Sequence, residues 1–331
     1  MALQVYTQKD LHTSYLAEKK IAILGFGAQG KAQAQNLKDS GLDVCIALRE
    51  GSANIQTAQE LGFEVVELSE CGIKCDVLVF LLPDEWHKEV FALIAPTLKK
   101  DQVLIFSHGF SITTQEIIPP NFIDVVLVAP KGAGSAVRSE YLAGRGVVSL
   151  IGVFQDHSTH AQEIALEYAC ALGSGKSAIF QSSFKDEYEC DLFSEQSVIC
   201  GGLEALIRAG FETLTQAGYP EEIAYFECLH EAKIVMDLIY SKGIASMREH
   251  ISNTAEYGDI LAGERIITPK VKEEMKAILR DIQEGKFAKK FINERENGFP
   301  TLQKERKILK DSQIEKIGKQ MRGLMPWVTQ S

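Results

Sequence analysis

No apolar run in this 331-residue chain approaches the roughly 20 residues that a membrane-spanning helix needs. Runs such as VLVFLL and VVLVA have the length of buried strands. A basic excess is also missing. Thirty-five Lys and Arg stand against 45 Asp and Glu, and the resulting charge of −10 disfavours binding to a phosphate backbone. Met1 to Lys20 contains no apolar core of a secretory leader, so no export signal is expected. Cysteine is scarce and odd in number, at seven, which suits reduced thiols in a cytoplasmic protein. Cys71 and Cys75 lack a second pair to complete a zinc site and are expected to be buried structural thiols. There is no fixed-period repeat and no low-complexity segment. What remains, 45% hydrophobic and 24% charged residues, describes an ordinary globular chain of one or two domains.

The first half alternates strand and helix signals. KKIAILGFGAQGKAQAQNLKDSGLDVCIALRE runs from a strand at Ile21–Leu24 through a glycine turn into a helix, then to a strand at Val44–Leu48. Gly25, Gly27 and Gly30 form G-x-G-x-x-G at the strand-to-helix junction. Glycines there permit a tight turn and close backbone approach, so a dinucleotide pyrophosphate can rest on the helix N-terminus. An NAD site usually offers a carboxylate at the end of the second strand. This chain offers Arg49 with Ser52, a cation and a hydroxyl that suit the 2′-phosphate of NADP, with Glu50 beside them as an opposing charge. Further buried strands are expected to end at Pro83, at Ser107-His108-Gly109 and at Pro130-Lys131-Gly132, with Asp84 as a helix cap. Ligands sit at the carboxyl ends of such strands, so His108 and Lys131 are expected to face the cofactor. Ser174-Gly175-Lys176-Ser177 resembles part of a P-loop, but Cys170 stands where the first glycine is required, so the segment reads as a turn.

From about Phe184 strand signals stop and helical periodicity continues, dividing an α/β half, residues 1–182, from an all-α half, residues 183–331. Two helical segments there each carry carboxylates four residues apart: Asp191 with Glu195, and Glu227 with Glu231. At that spacing side chains share one helical face and like charges repel, unless a cation lies between them. Leu192, Val198 and Ile199 are expected to form one apolar face, and Ile223, Phe226, Ile234 and Leu238 another. Carboxylates without His or Cys at matching spacing favour Mg²⁺ or Mn²⁺, and four of them suit two Mg²⁺ ions. A solvated acidic face is the bland alternative.

GFGAQG, LLPDE, SHGF, VAPKG, DLFSEQSVICGGL, YFECLHE, SNTAEYGD and the closing MPW, in this order and spacing, make nearly the whole chain resemble the ketol-acid reductoisomerase family in its short, class I form. The resemblance implies an NADPH-binding Rossmann domain, with a mostly parallel sheet, followed by a helical, knotted domain carrying the metal site and dimer interface. It implies Asp191 and Glu195 as Mg²⁺ ligands from one protomer of a homodimer, Glu227 and Glu231 from its partner, and Ser252 as a substrate contact. It places His108 and Lys131 in the active site, His108 in a supporting electrostatic role, and makes Glu231 or Lys131 the candidate for proton handling. Cofactor contacts would be Gly25, Phe26, Gly27, Ala28, Gln29, Gly30, Arg49, Ser52, Asp84, Glu85, Trp86, His87 and Gly134. Ala133, Ser135, Lys31 and Asn54 depart from residues common in the family, and none of these departures removes a metal ligand. The implied reaction is Mg²⁺-dependent alkyl migration in 2-acetolactate or 2-aceto-2-hydroxybutyrate, coupled to NADPH reduction to a 2,3-dihydroxy acid. An NADP-dependent hydroxy-acid dehydrogenase without isomerase activity and a non-catalytic NADP sensor are the competing classes, and neither accounts for the four carboxylates.

Overall fold

A computed structural model describes residues 3–328. Its contacts divide the chain into two compact units, Met1–Cys190 and Asp191–Ser331.

In the first unit, side chains alternate along each central strand between two buried layers. Ile21 and Ile23 join Val44, Ile46, Val77, Val79, Val103, Ile105, Val126 and Val128 in one layer. Ala22 and Leu24 join Cys45, Ala47, Leu78, Phe80, Leu104, Phe106 and Leu127 in the other. A period of two with both faces apolar is what a sheet covered on each side requires. Each fully buried Val, Leu or Ile contributes about 1.5–3 kcal/mol. Among the described residues the strands are β1 (Val5–Tyr6), β2 (Lys20–Leu24), β3 (Asp43–Leu48), β4 (Glu64–Glu67), β5 (Val77–Phe80), β6 (Val103–Phe106), β7 (Asp124–Pro130), β8 (Ser149–Gln155) and β9 (Ile179–Gln181). They form one sheet in the order β1-β9-β8-β7-β6-β5-β2-β3-β4. From β4 through β7 all pairs are parallel, while β7–β8 and β1–β9 are antiparallel. The run β4-β3-β2-β5-β6-β7 is the Rossmann order, and its direction reverses between β2 and β5.

Local details differ from the sequence expectation. Pairing of β5 stops at Phe80, three residues before Pro83, because its parallel partners β2 and β6 run out at Leu24 and Phe106. Asp84 does not cap a helix; it is the first residue of the 3₁₀ turn Asp84–Trp86, and Pro83 holds the cap position. Cys71 and Cys75 are buried and free, as expected.

The second unit is helical throughout its described residues. Thr268 caps the helix Pro269–Gln283 by accepting the Val271 N–H, and Gly243 ends the helix Glu231–Lys242 at φ 86°. Its core is small: Phe211, Ala224, Tyr225, Ile314, Ile317 and Met321. The helix Gln313–Gly323 docks there, with Arg322 Nη1 donating to Tyr225 Oη at 3.4 Å. The two expected apolar faces are therefore only partly buried. Leu192 is buried, but Val198, Ile199, Ile223 and Ile234 are 48–56% exposed. The same periodicity that marks a face buried in a core also marks one left open on a single chain.

A buried carboxylate fastens the N-terminal segment. Glu167, 7% exposed on the helix Ala161–Ala171, accepts the N–H groups of Tyr15 at 2.6 Å and Leu16 at 3.1 Å. Burial pushes its carboxyl above the ordinary range, with the two N–H bonds opposing. A raised folded pKa favours the protonated fold, so this contribution is present in acid and is lost as pH rises through the folded value. Glu167→Gln keeps an acceptor without that charge and should flatten this dependence in urea unfolding between pH 4.5 and 8. Glu167→Ala, which strands both N–H groups, should cost about 1–3 kcal/mol.

Candidate active site

The site of the first unit lies where the strand order reverses, at the carboxyl ends of β2, β5, β6 and β7. Gly25 leaves β2 at φ 97°, and a Cβ there would meet the Leu82 backbone at 2.9 Å. Only glycine lets the turn after β2 approach the turn after β5 so closely. The helix Ala28–Asp39 comes next, with Gly27 as its cap and no side-chain acceptor for its first N–H groups. A Cβ on Gly27 would meet nothing within 4 Å. Open space in front of uncapped N–H groups is what an anionic pyrophosphate fits. Gly30 and Gly134 are buried, and Gly134 lies against the Ala28 backbone.

Polar side chains fix this turn to the sheet. Gln29 Nε2 donates to the Gly132 carbonyl at 2.8 Å, and Gln33 Nε2 donates to Gln29 Oε1 at 3.1 Å and Ser107 Oγ at 3.2 Å. Phe26 turns inward instead: it is 5% exposed and packs edge-on against Phe63 at 5.9 Å, leaving its backbone at the turn. After β3, the Arg49 backbone carbonyl accepts the Ser52 N–H at 3.2 Å in a turn, and Ser52 Oγ accepts the Asn54 N–H at 3.4 Å. Arg49 and Glu50 are both exposed.

The β6 and β7 ends converge on a residue that sequence reasoning missed. Glu187, on the helix Phe184–Ser194, is 1% exposed. Its Oε2 accepts the Gly109 N–H at 2.7 Å, and its Oε1 receives Lys131 Nζ at 2.6 Å. His108 Nε2 lies 3.9 Å from Glu187 Oε2, and His108 Nδ1 lies 3.4 Å from Asp84 Oδ2. Gly109 makes the approach feasible, since a Cβ there would sit 2.0 Å from the Phe184 carbonyl. Asp84 is held below the usual carboxylate range: burial raises it, but the His108 hydrogen bond and the charges of His108 and His87 outweigh burial. His87 is 3% exposed, with Nδ1 2.8 Å from Ser111 Oγ and Nε2 2.9 Å from the Leu82 carbonyl, and burial lowers its pKa. Trp86 is 47% exposed on the same turn, beside half-buried Glu85.

One turn beyond Glu187 on the same helix stands Asp191, so the two carboxylates share a face. The run Glu187, Asp191, Glu195 at four-residue spacing was the signal that could have found Glu187. Each later carboxylate pair meets a π turn. The Cys200 N–H donates to the Glu195 carbonyl five residues back, at 3.0 Å, in the π turn Glu195–Ile199. A second π turn, Phe226–His230, contains Glu227, and Glu231 comes directly after it with its N–H on the Phe226 carbonyl. Such i→i+5 turns are rare and concentrate at functional sites. Glu195, Glu227 and Glu231 are exposed, and among the described residues none belongs to a cluster of three metal-ligating groups. Ser252 caps the helix Asn253–Ile266 through the Ala255 N–H at 3.1 Å.

The family model described as the NADPH-binding domain of acetohydroxy acid isomeroreductase matches residues 15–178, and that of the C-terminal domain of ketol-acid reductoisomerase matches residues 184–327. The chain is similar, at 43% identity and a TM-score of 0.94, to an NADH-preferring ketol-acid reductoisomerase from an uncultured archean, over 97% of this chain and 99% of that one. A semialdehyde dehydrogenase NAD-binding protein from Cupriavidus necator, at 17% identity and a TM-score of 0.61, covers 81% of this chain and 99% of its own. It shares the fold alone.

If the space before Gly27 holds a pyrophosphate, Gly27→Ala should leave the melting temperature of the free protein unchanged. It should also shrink the upward shift that NADPH produces, with affinity reduced by about tenfold or more because the new methyl occupies the ligand's place. Equal shifts in both proteins would exclude this binding mode.

Proposed function

The chain belongs to the ketol-acid reductoisomerase family, and from that premise we propose how its residues divide the work of the reaction. The activity is alkyl migration in an acetohydroxy acid coupled to NAD(P)H-dependent reduction, giving a 2,3-dihydroxy acid. The observation that carries the residue assignment is the convergence of His108, Lys131 and Glu187 at the β6 and β7 ends of a Rossmann sheet, with Asp191 one turn along the Glu187 helix.

In this reading two Mg²⁺ ions are held by Asp191 and Glu195 of one protomer and by Glu227 and Glu231 of its partner. The donor set fits: all four ligands are hard carboxylate oxygens. Ser197 Oγ, two residues after Glu195, is buried with no hydrogen-bond partner among the described residues, an oxygen that a cation or its water at this place would satisfy. A homodimer with shared sites is supported by the apolar surface of the helical unit, where Tyr240 is 91%, Ile244 67% and Tyr257 66% exposed. A knotted path through that unit, a domain division at residues 182/183 and a cytoplasmic location belong to the same reading. The free cysteines fit a reducing compartment.

When bound, the nicotinamide supplies hydride, and the divalent ions supply Lewis acidity that lowers the substrate hydroxyl pKa and polarises the ketone. The chain's part is positioning and proton handling. The glycine turn and its N–H groups fix the cofactor phosphates, and Arg49 with Ser52 favours the 2′-phosphate of NADPH over NADH. Glu231 is the candidate acceptor for the hydroxyl proton whose loss starts the migration. Lys131 Nζ, held by Glu187 Oε1, is the candidate proton source for the oxygen that becomes an alkoxide after reduction. Ser252 contacts substrate from the start of its helix, and His108 contributes field rather than ligation. An NADP-dependent dehydrogenase without isomerase activity leaves the four carboxylates unexplained.

NADPH oxidation with 2-acetolactate should vanish on chelation and return with Mg²⁺. Glu231→Gln should slow turnover of 2-acetolactate by about a hundredfold. It should slow reduction of the already rearranged 3-hydroxy-2-keto acid less, because that step needs no hydroxyl deprotonation. Chelator-indifferent turnover of simple 2-keto acids alone would contradict the two-metal assignment.

A further inference from the structure

Asp84 is an expected cofactor contact, yet its carboxylate lies between two imidazoles. Its Oδ2 is 3.4 Å from His108 Nδ1, and its Oδ1 is 3.8 Å from His87 Nδ1. His87 is committed elsewhere. The Leu82 carbonyl accepts only, so His87 Nε2 carries the hydrogen that reaches it at 2.9 Å. With the hydrogen on Nε2, the neutral ring has its lone pair at Nδ1, where it takes the Ser111 hydroxyl at 2.8 Å. In that form it gives the Asp84 carboxylate no hydrogen bond. The other imidazole within reach of Asp84 is His108, 3.4 Å from Oδ2.

His108 needs such a partner for a geometric reason. Its ring lies nearly parallel to Phe110, with centroids 6.3 Å apart and planes at 16°, and has Tyr188 at 6.3 Å and 50°. Ring packing limits rocking but cannot choose between the two orientations related by a half-turn about the Cβ–Cγ bond, which exchange nitrogen and carbon at nearly identical shape. A polar contact must choose. With Nδ1–H on Asp84, Nε2 lies on the other side of the ring, 3.9 Å from Glu187 Oε2, where Glu187 also holds the Lys131 ammonium and Asp191 completes the cluster.

We propose that Asp84 is a positioning residue of the reductoisomerase reaction: it holds His108 through Nδ1 and thereby presents Nε2 to the Glu187–Lys131 pair. This rests on the proposed division of the reaction, with His108 supplying field at the reacting groups. Two lesser roles compete: a carboxylate that merely favours a helix N-terminus, and a direct contact to the cofactor.

Asp84→Asn keeps size and polarity at the helix start but removes the charge, and its amide can donate to Nδ1 and select the opposite tautomer. The expected result is a fall in kcat on 2-acetolactate of about ten- to a hundredfold. The melting temperature should be unchanged, and KM for NADPH should stay within about twofold. His108→Gln should lower kcat as well, and the double variant Asp84→Asn/His108→Gln should be no slower than His108→Gln alone, because Asp84 acts through that ring. In ¹⁵N-histidine spectra, the resonance lost in His108→Gln should report a protonated Nδ1 in the wild type and move in Asp84→Asn. Additive losses in the double variant, a raised KM for NADPH with normal kcat, a normal kcat in either single variant, or an unmoved His108 resonance would each overturn the proposal. Should Asp84→Asn unfold, Asp84→Ser is read in the same way. A wild type without isomeroreductase turnover would instead remove the functional reading, and the spectra would still decide whether Asp84 sets the His108 tautomer.

Discussion

The active end of the first unit depends on one buried carboxylate. Glu187 is 1% exposed, and an isolated charge at that depth would be strongly unfavourable. It persists because Lys131 Nζ and the Gly109 N–H both reach it, at 2.6 and 2.7 Å. Those contacts draw the ends of β6 and β7 onto one helix, and the next turn of that helix carries Asp191. Removing any partner would leave a buried charge uncompensated, so the three are constrained together.

Much of this was legible in the chain. Alternating Val, Ile and Leu in the strands, with glycines at a strand-to-helix junction, specify a sheet buried on both faces with a dinucleotide turn. His108 and Lys131 were located because strand ends predict which residues meet at the sheet edge. The lengths of β5 and β6 were overestimated, since pairing with neighbours, rather than apolarity, ends a strand. Glu187 stands four residues before Asp191, at the spacing of the pairs after it, but a carboxylate beside Asp186 and Glu189 in a charged run carries no sign of burial in sequence.

The helical unit shows where a single-chain reading stops. Apolar periodicity correctly marked helices, but Val198, Ile199, Ile223 and Ile234 remain half-exposed, because periodicity identifies a face without saying what covers it. The π turns had no residue-type signal: they are a change of hydrogen-bond partner, from four residues back to five. An added residue in the turn rotates the rest of the helix about its axis, so Glu227 and Glu231 do not stand as they would on an uninterrupted α-helix. Exposed carboxylates on distorted helices beside uncovered apolar side chains are what the proposed dimer, in which a second chain completes the site, accounts for.

That claim is tested most directly by co-producing two inactive variants, Asp191→Asn and Glu231→Gln, and measuring Mg²⁺-dependent turnover of 2-acetolactate. If each site draws Asp191 and Glu195 from one protomer and Glu227 and Glu231 from the other, a mixed dimer has one doubly altered site and one intact site. Turnover should then reappear, well above that of either variant alone. Mixed dimers, confirmed by differential tags, that stay as inactive as the parents would contradict a site shared between protomers.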